Sequence, residues 1–507
     1  MGGKSLELMQ VGDICSSCDS SQLATDTSVP ARGFGGGKIG WGTEVSVPGY
    51  TYTLHRKYVL AAACLAAILL CYCFGLGRAG MLGPDEPRYA AIGRAMADSG
   101  DWVTPRLWGA PWFEKPALLY WMTAAGFRAG LDEDLAPRLP VAWLSVGFVL
   151  FFGWRLRREF GDRAAILSAV MLATSALWLG YSHVAVFDLP LAATFGACML
   201  LVLAERRTLP EMAAAGALLG AAMLSKGFVP CVLFLPAIWR LRRDWKQLAL
   251  IALTAFAVAA PWHALVIARN GSAFVDEFFW KQQFSRFTSP ALLHVRPLWF
   301  YLPVMLGGFF PWTPLAAILF PERSLFSDER VRFLLAWLLW GLIFFSASVN
   351  KLPGYVLPLF PALAALVGIG VAVKRTPERW LFALCGGWVW LFPIAGKMLP
   401  EILRNGLSQV NMDISPLWIL PAIGSALLVS WQESRGGRLR AVATITALVS
   451  VCAVGVVLDA YPVLDRTVSA RHFWKTRSAA ITCSEESDRG WHYSLNYYAR
   501  QDLPLCK

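Results

Sequence analysis

Residues 57–77 read KYVLAAACLAAILLCYCFGLG, and 83–89 read GPDEPRY. The first stretch is long and apolar enough to cross a bilayer as one helix, which takes roughly 20 such residues. The second sets Asp85, Glu86 and Arg88 just beyond its end. Further along the chain the same kind of run recurs at 139–154, 163–180, 188–204, 210–225, 228–241, 248–268, 297–318, 331–349, 353–373, 379–397, 415–432 and 439–460. The expectation is an all-α polytopic membrane protein of about thirteen spans.

Composition points the same way. Of 507 residues, 56% are hydrophobic and only 16% charged, where soluble domains carry about a quarter. With 23 Trp, 30 Phe and a mean hydropathy of +0.49, a disordered chain is excluded and a soluble enzyme disfavoured. The net charge of +12 is not a nucleic-acid footprint, because the basic residues fall in small clusters between apolar runs.

Those clusters orient the chain. Arg155/Arg157/Arg158/Arg163, Arg206/Arg207, Arg240/Arg242/Arg243/Lys246, Arg323/Arg330/Arg332, Lys374/Arg375/Arg379 and Arg435/Arg438/Arg440 alternate with connections holding one cation or none. By the positive-inside rule these six clusters are cytoplasmic, which puts the N-terminus inside and the C-terminus outside.

Three segments fall outside the spans. Residues 1–55 are polar and Gly-rich and read as a disordered cytoplasmic tail; the Cys15-x-x-Cys18 pair in it has no second half and reads as two incidental thiols. Residues 56–460 form the membrane domain, with 78–138 as its first outer loop. There the spacing predicts two amphipathic helices, over 86–97 with Asp85 as N-cap and over 114–129, lying along the outer membrane face. Residues 461–507 form a small external α/β segment. Trp491, Tyr493, Leu495 and Tyr497 alternate with polar residues and predict a strand, and Cys483 and Cys506 flank it in an oxidising compartment, which predicts a disulfide.

The candidate chemistry collects at the outer ends of the spans. Asp85, Glu86, Arg88, Glu114 and Lys115 lie in the first outer loop, Asp188 opens a span, Lys226 closes one, and Lys351 and Tyr355 flank another connection. Ionisable groups embedded in spans are costly and mark sites. Cations at Arg88, Lys115, Lys226 and Lys351 suit a phosphate or pyrophosphate, and a carboxylate beside them suits a general base that activates a hydroxyl. Together they describe transfer of a group from a phospho-lipid. A lipid or glycolipid transporter is the alternative, but it would place charges near the midplane and repeat them between halves.

Several motifs in order resemble the GT-C glycosyltransferases, namely the bacterial aminoarabinose (lipid A) transferases and the wider dolichyl-phosphate-mannose protein mannosyltransferase group. They are Asp85-Glu86-Pro87-Arg88-Tyr89-Ala90, Gly100-Asp101-Trp102, Phe113-Glu114-Lys115-Pro116, Ala136-Pro137-Arg138-Leu139-Pro140, Leu224-Ser225-Lys226-Gly227, Ala260-Pro261-Trp262, Arg286-Phe287, Pro311-Trp312 and Ser348–Tyr355. The resemblance covers about 60–365 and implies an inverting enzyme of the cell inner membrane. It would move a sugar from undecaprenyl phosphate to a lipid or protein acceptor. It makes Asp85 the catalytic base and Asp188 its acceptor-side helper. Glu86, Arg88, Tyr89, Glu114, Lys115, Lys226, Lys351 and Tyr355 then serve the donor phosphate. No organic cofactor is implied, and a divalent metal is left open. Gln283 stands where relatives often carry His, and His294 matches a His common in the wider family.

Overall fold

The computed structural model describes residues 66–285, 295–319, 323–406, 415–477, 481–484 and 488–506. The tail over 1–55 with Cys15 and Cys18, the Arg286-Phe287 pair, His294 and the side chain of Gln283 lie outside what is described.

A helix over 66–73 leads through a turn into α1 (Asp85–Ser99). A hairpin of β1 (Arg106–Leu107) and β2 (Ala110–Pro111) follows, then α2 (Leu118–Arg128). Two expected spans share one element, α3 (Leu135–Ala173), broken at Gly161, whose φ of 82° is a left-handed conformation that favours glycine. The chain continues through α4 (Ala176–Tyr181), α5 (Asp188–Leu203), α6 (Leu209–Lys226) and α7 (Trp245–Asn270). Beyond it come α8 (Glu329–Ala347), α9 (Phe360–Val373), α10 (Arg379–Trp388), α11 (Leu391–Asn405), α12 (Ile419–Ser434) and α13 (Arg438–Thr467). The chain closes with the short α14 (Arg471–Arg477) and α15 (Arg489–Ala499).

Among the described residues six helices are long and apolar enough to cross a bilayer, or seven if the bent pair Leu298–Gly308 and Thr313–Leu319, at 107°, counts as one. The other expected spans take shorter forms. The 228–241 run makes two short helices, Val229–Leu233 and Leu235–Arg240. Helix α5 has 16 residues, about 24 Å at 1.5 Å per residue. All of it except Asp188 is buried, and it packs on α3 and α6. Its hydrophobicity serves the centre of the bundle. In contrast, Leu253 and Phe256 on α7 are largely exposed, as lipid-facing residues are.

Three local expectations change. Asp85 is the first residue of α1 rather than its cap: Pro84 holds the cap position, and the Asp85 side chain turns to Arg88 instead. Nor is α1 an exposed amphipathic helix: eleven of its residues are buried, and it packs against α2 and α15. The predicted C-terminal strand is the helix α15, capped by Asp488, whose carboxylate accepts the Trp491 N–H at 3.0 Å. Its alternating pattern has a packing cause. Trp491 and Leu495 face Ala470 and Leu503, whereas Tyr493 and Tyr497 face the main core. A helix buried on two sides places apolar residues at every second position, as a strand does. Strand structure in this segment is limited to one bridge, Ser484 to Leu505, among the described residues. The last long helix also runs past residue 460, to Thr467.

Candidate active site

The loop before Asp85 is anchored by the most heavily bonded ion pair in the fold. Arg138, on α3, donates to both oxygens of Glu86 at 2.7 Å and to the carbonyls of Leu76, Ala79 and Gly80. Glu86 also accepts the N–H groups of Leu82 and Ala185. Both side chains are fully buried. The pair therefore ties the Asp85 loop to the segment that precedes Asp188. The Glu86 carboxylate is occupied by this joint, and it is not among the residues lining the cavity that holds Lys115 and Lys226.

Asp85 and Arg88 are one helical turn apart and ion-paired. Arg88 reaches on to Glu114 at 3.2 Å, and Glu114 to Lys115 at 3.0 Å. Burial disfavours the Arg88 charge, but Glu114, with Tyr89 and Asp85, raises its pKa above the ordinary value and keeps it cationic. The Asp85 side chain is 42% exposed against 10% for Glu114, so of the two carboxylates it is the more accessible. Beneath them Tyr89, Tyr120 and Phe187 pack edge to face with centroids 5.0–6.0 Å apart. Tyr89 is thus a buried support for Arg88. Burial, and then the Glu114 charge, pushes the phenols of Tyr89 and Tyr120 well up.

A second couple lies across the site. Lys226, the last residue of α6, donates to Asp188, the first of α5, at 2.6 Å, and its ammonium sits 4.2 Å from the Tyr355 ring centre. Lys226, Tyr355, Glu114 and Lys115 line one cavity of about 90 Å³ together with Val229, Gln282, Phe344, Phe345, Ser348 and Asn350. Lys351 does not line it. Its ammonium donates to the carbonyls of Arg296 and Ser348, staking the cavity wall to the neighbouring chain, and burial lowers its pKa.

Residues not singled out in the sequence complete the site. Tyr181 is one: burial, then the charge of Asp188 and more weakly that of Asp85, pushes its phenol up. Its hydroxyl lies against Gly354, where a Cβ would come within 2.5 Å of it. Gly354→Ala is expected to displace Tyr181 and cost roughly 1–3 kcal/mol, as overpacking does, measured as a lowered Tm with a parallel loss of turnover. Gln282 enters from a π-helix, Val275–Ser285, a geometry frequent at functional sites. His183 donates from Nε2 to the Cys71 carbonyl and accepts at Nδ1 from the Tyr461 hydroxyl. That joins the helix over 66–73 and α13 to the strip before Asp188. Among the described residues no three His, Cys, Asp or Glu side chains gather as a metal site; the carboxylates are met by protein cations.

A helical membrane bundle that holds two carboxylate–cation couples beside a small basic cavity has the form of a GT-C glycosyltransferase. Residues 114–264 match the family described as dolichyl-phosphate-mannose-protein mannosyltransferase. An undecaprenyl phosphate-alpha-4-amino-4-deoxy-L-arabinose arabinosyl transferase of Pseudomonas savastanoi pv. phaseolicola is 32% identical over 419 residues, 74% of this chain and 78% of the relative. One from Edwardsiella ictaluri is 34% identical over 363 residues, 68% of this chain and 65% of the relative. The crystal structure of ArnT from Cupriavidus metallidurans bound to undecaprenyl phosphate superposes with a TM-score of 0.72 at 25% identity, over 89% of this chain and 86% of that one. The chain belongs to the undecaprenyl phosphate-alpha-4-amino-4-deoxy-L-arabinose arabinosyl transferase family and is a multi-pass inner-membrane glycosyltransferase. The transporter alternative finds no support.

Proposed function

We propose that this chain transfers 4-amino-4-deoxy-L-arabinose from undecaprenyl phosphate to a lipid acceptor of the lipid A class. The observation that carries this is the cavity holding Lys115 and Lys226 beside two ion-paired aspartates. The donor phosphate sits against these two cations, with its sugar directed toward the more exposed Asp85. In the reaction the acceptor oxygen bonds to the anomeric carbon as the carbon–oxygen bond to the donor phosphate breaks. Asp85 takes the acceptor proton, and Lys226 and Lys115 balance the charge left on the phosphate. Asp188 holds Lys226 in place through their 2.6 Å hydrogen bond and borders the acceptor side.

The basic clusters support an N-terminus in the cytoplasm, a C-terminus outside, and a site open to the outer leaflet. The domain reading of 1–55 as a tail, 56–460 as the membrane transferase and 461–507 as an external segment belongs to the same proposal.

Attack from the face opposite the phosphate inverts the anomeric centre, so the α-linked donor gives a β-linked product. The coupling constant of the product's anomeric proton tests this, and an α-linked product would contradict the mechanism. Lys226→Ala removes a charge-assisted phosphate contact worth about 1.5–3 kcal/mol. Undecaprenyl phosphate affinity, measured by titration of the purified protein, is expected to fall roughly 10- to 100-fold.

A further inference from the structure

The C-terminal segment has no role in the reading above, yet it reaches the site. We propose that α15 is a positioning element of the transferase, acting on Arg88 through Tyr493. The proposal rests on the assignment of Asp85 and Arg88 to the site.

Arg88 is held by carboxylates and a carbonyl oxygen, and three rings surround its guanidinium. The polar partners are Asp85, Glu114 and the Pro84 carbonyl. The rings are Tyr89, Trp112 and Tyr493, whose centres lie 5.7, 5.6 and 5.1 Å from the guanidinium carbon. Tyr89 and Trp112 belong to the same outer loop as Arg88. Tyr493 comes from the far end of the chain and is the nearest of the three. Rings within about 6 Å attract a guanidinium, so this surround limits its swing and keeps its fork aimed at its carboxylates.

The helix that carries Tyr493 is also fastened to the three residues before Pro84. The Met81 N–H donates to the Tyr498 hydroxyl, which donates onward to Asp134, and the Ser494 hydroxyl donates to the Met81 carbonyl. Gly490 packs so closely that a Cβ there would stand 3.2 Å from the Gly83 carbonyl carbon. The far end of the segment is closed by the Cys483–Cys506 disulfide and by hydrogen bonds between Ser484 and the 504–506 strip. Movement of α15 therefore moves both the loop that presents Asp85 and the ring that holds its partner.

Tyr493→Leu removes the ring and keeps apolar volume, whereas Tyr493→Phe keeps the ring. The leucine variant is expected to lower kcat about fivefold to tenfold, the range of a partly desolvated cation–π contact, with donor KM and Tm near wild type. The phenylalanine variant is expected to match wild type. Asp85 labelling by a carbodiimide, read by mass spectrometry of the purified protein, reports the Asp85–Arg88 pairing without any transfer. It is expected to quicken severalfold in the leucine variant and in Cys483→Ser, but not in Tyr493→Phe. Unchanged kcat and unchanged labelling in Tyr493→Leu would overturn the proposal. So would a phenylalanine variant as impaired as the leucine one. If wild type transfers no sugar but the labelling contrast persists, the positioning role stands and the transferase assignment fails.

Discussion

Asp85→Asn is expected to lower sugar transfer about 1000-fold, the middle of the range for a lost general base. Asn is isosteric and keeps an oxygen for Arg88, which is held independently by Glu114 and the Pro84 carbonyl. The fold and the cation cavity should therefore survive. Binding of undecaprenyl phosphate should stay within about twofold, because Asp85 does not line the cavity that holds Lys115 and Lys226. Steady-state transfer by the purified variant, beside a lipid-binding titration, separates the two quantities. Wild-type turnover by the variant would remove Asp85 from proton transfer.

The second large effect is on stability. Arg138→Leu strips the buried Glu86 of its cation and frees the carbonyls of Leu76, Ala79 and Gly80. Breaking a buried pair from one side costs about 3–5 kcal/mol, mostly because the remaining charge is left uncompensated. A strong fall in Tm is expected, with loss of transfer because the Asp85 loop and the Asp188 segment lose their shared joint. Glu86→Gln combined with Arg138→Leu removes the stranded charge as well and should recover part of the lost Tm. A Tm for Arg138→Leu within a degree of wild type would show that the joint does not hold the loop.

Much of this site is legible in the residues because its geometry is local. Asp85 and Arg88 are three apart on a helix, so their pairing follows from spacing, whereas the pairing of the adjacent Glu114 and Lys115 is set by the loop that carries them. Lys226 and Asp188 stand out as charges at the ends of apolar runs, and the fold then joins them. Long-range partners leave no such trace. Glu86 reads as another site carboxylate until Arg138 is found across from it, and Lys351 reads as a phosphate ligand until its ammonium is seen bonded to backbone carbonyls. Tyr181 and Tyr493 carry no motif at all; only packing brings the first to Gly354 and the second to Arg88. Thirteen apolar runs are legible in the chain. Hydrophobicity marks burial in lipid and burial in protein alike, so it does not fix how many of them cross: α5 has the composition of a crossing and is buried within the bundle. The C-terminal helix departs because burial on two faces imitates the period of a strand.

The defining event is departure of the sugar from its lipid carrier in this site. The direct measurement uses the purified chain in proteoliposomes with undecaprenyl phosphate-α-4-amino-4-deoxy-L-arabinose and a lipid A acceptor, followed by mass spectrometry of both lipids. Sugar-modified acceptor and free undecaprenyl phosphate are expected in equal amounts, both lost in Asp85→Asn. Donor lipid that crosses the bilayer with its sugar intact, while the acceptor stays unmodified, would contradict the proposed transfer.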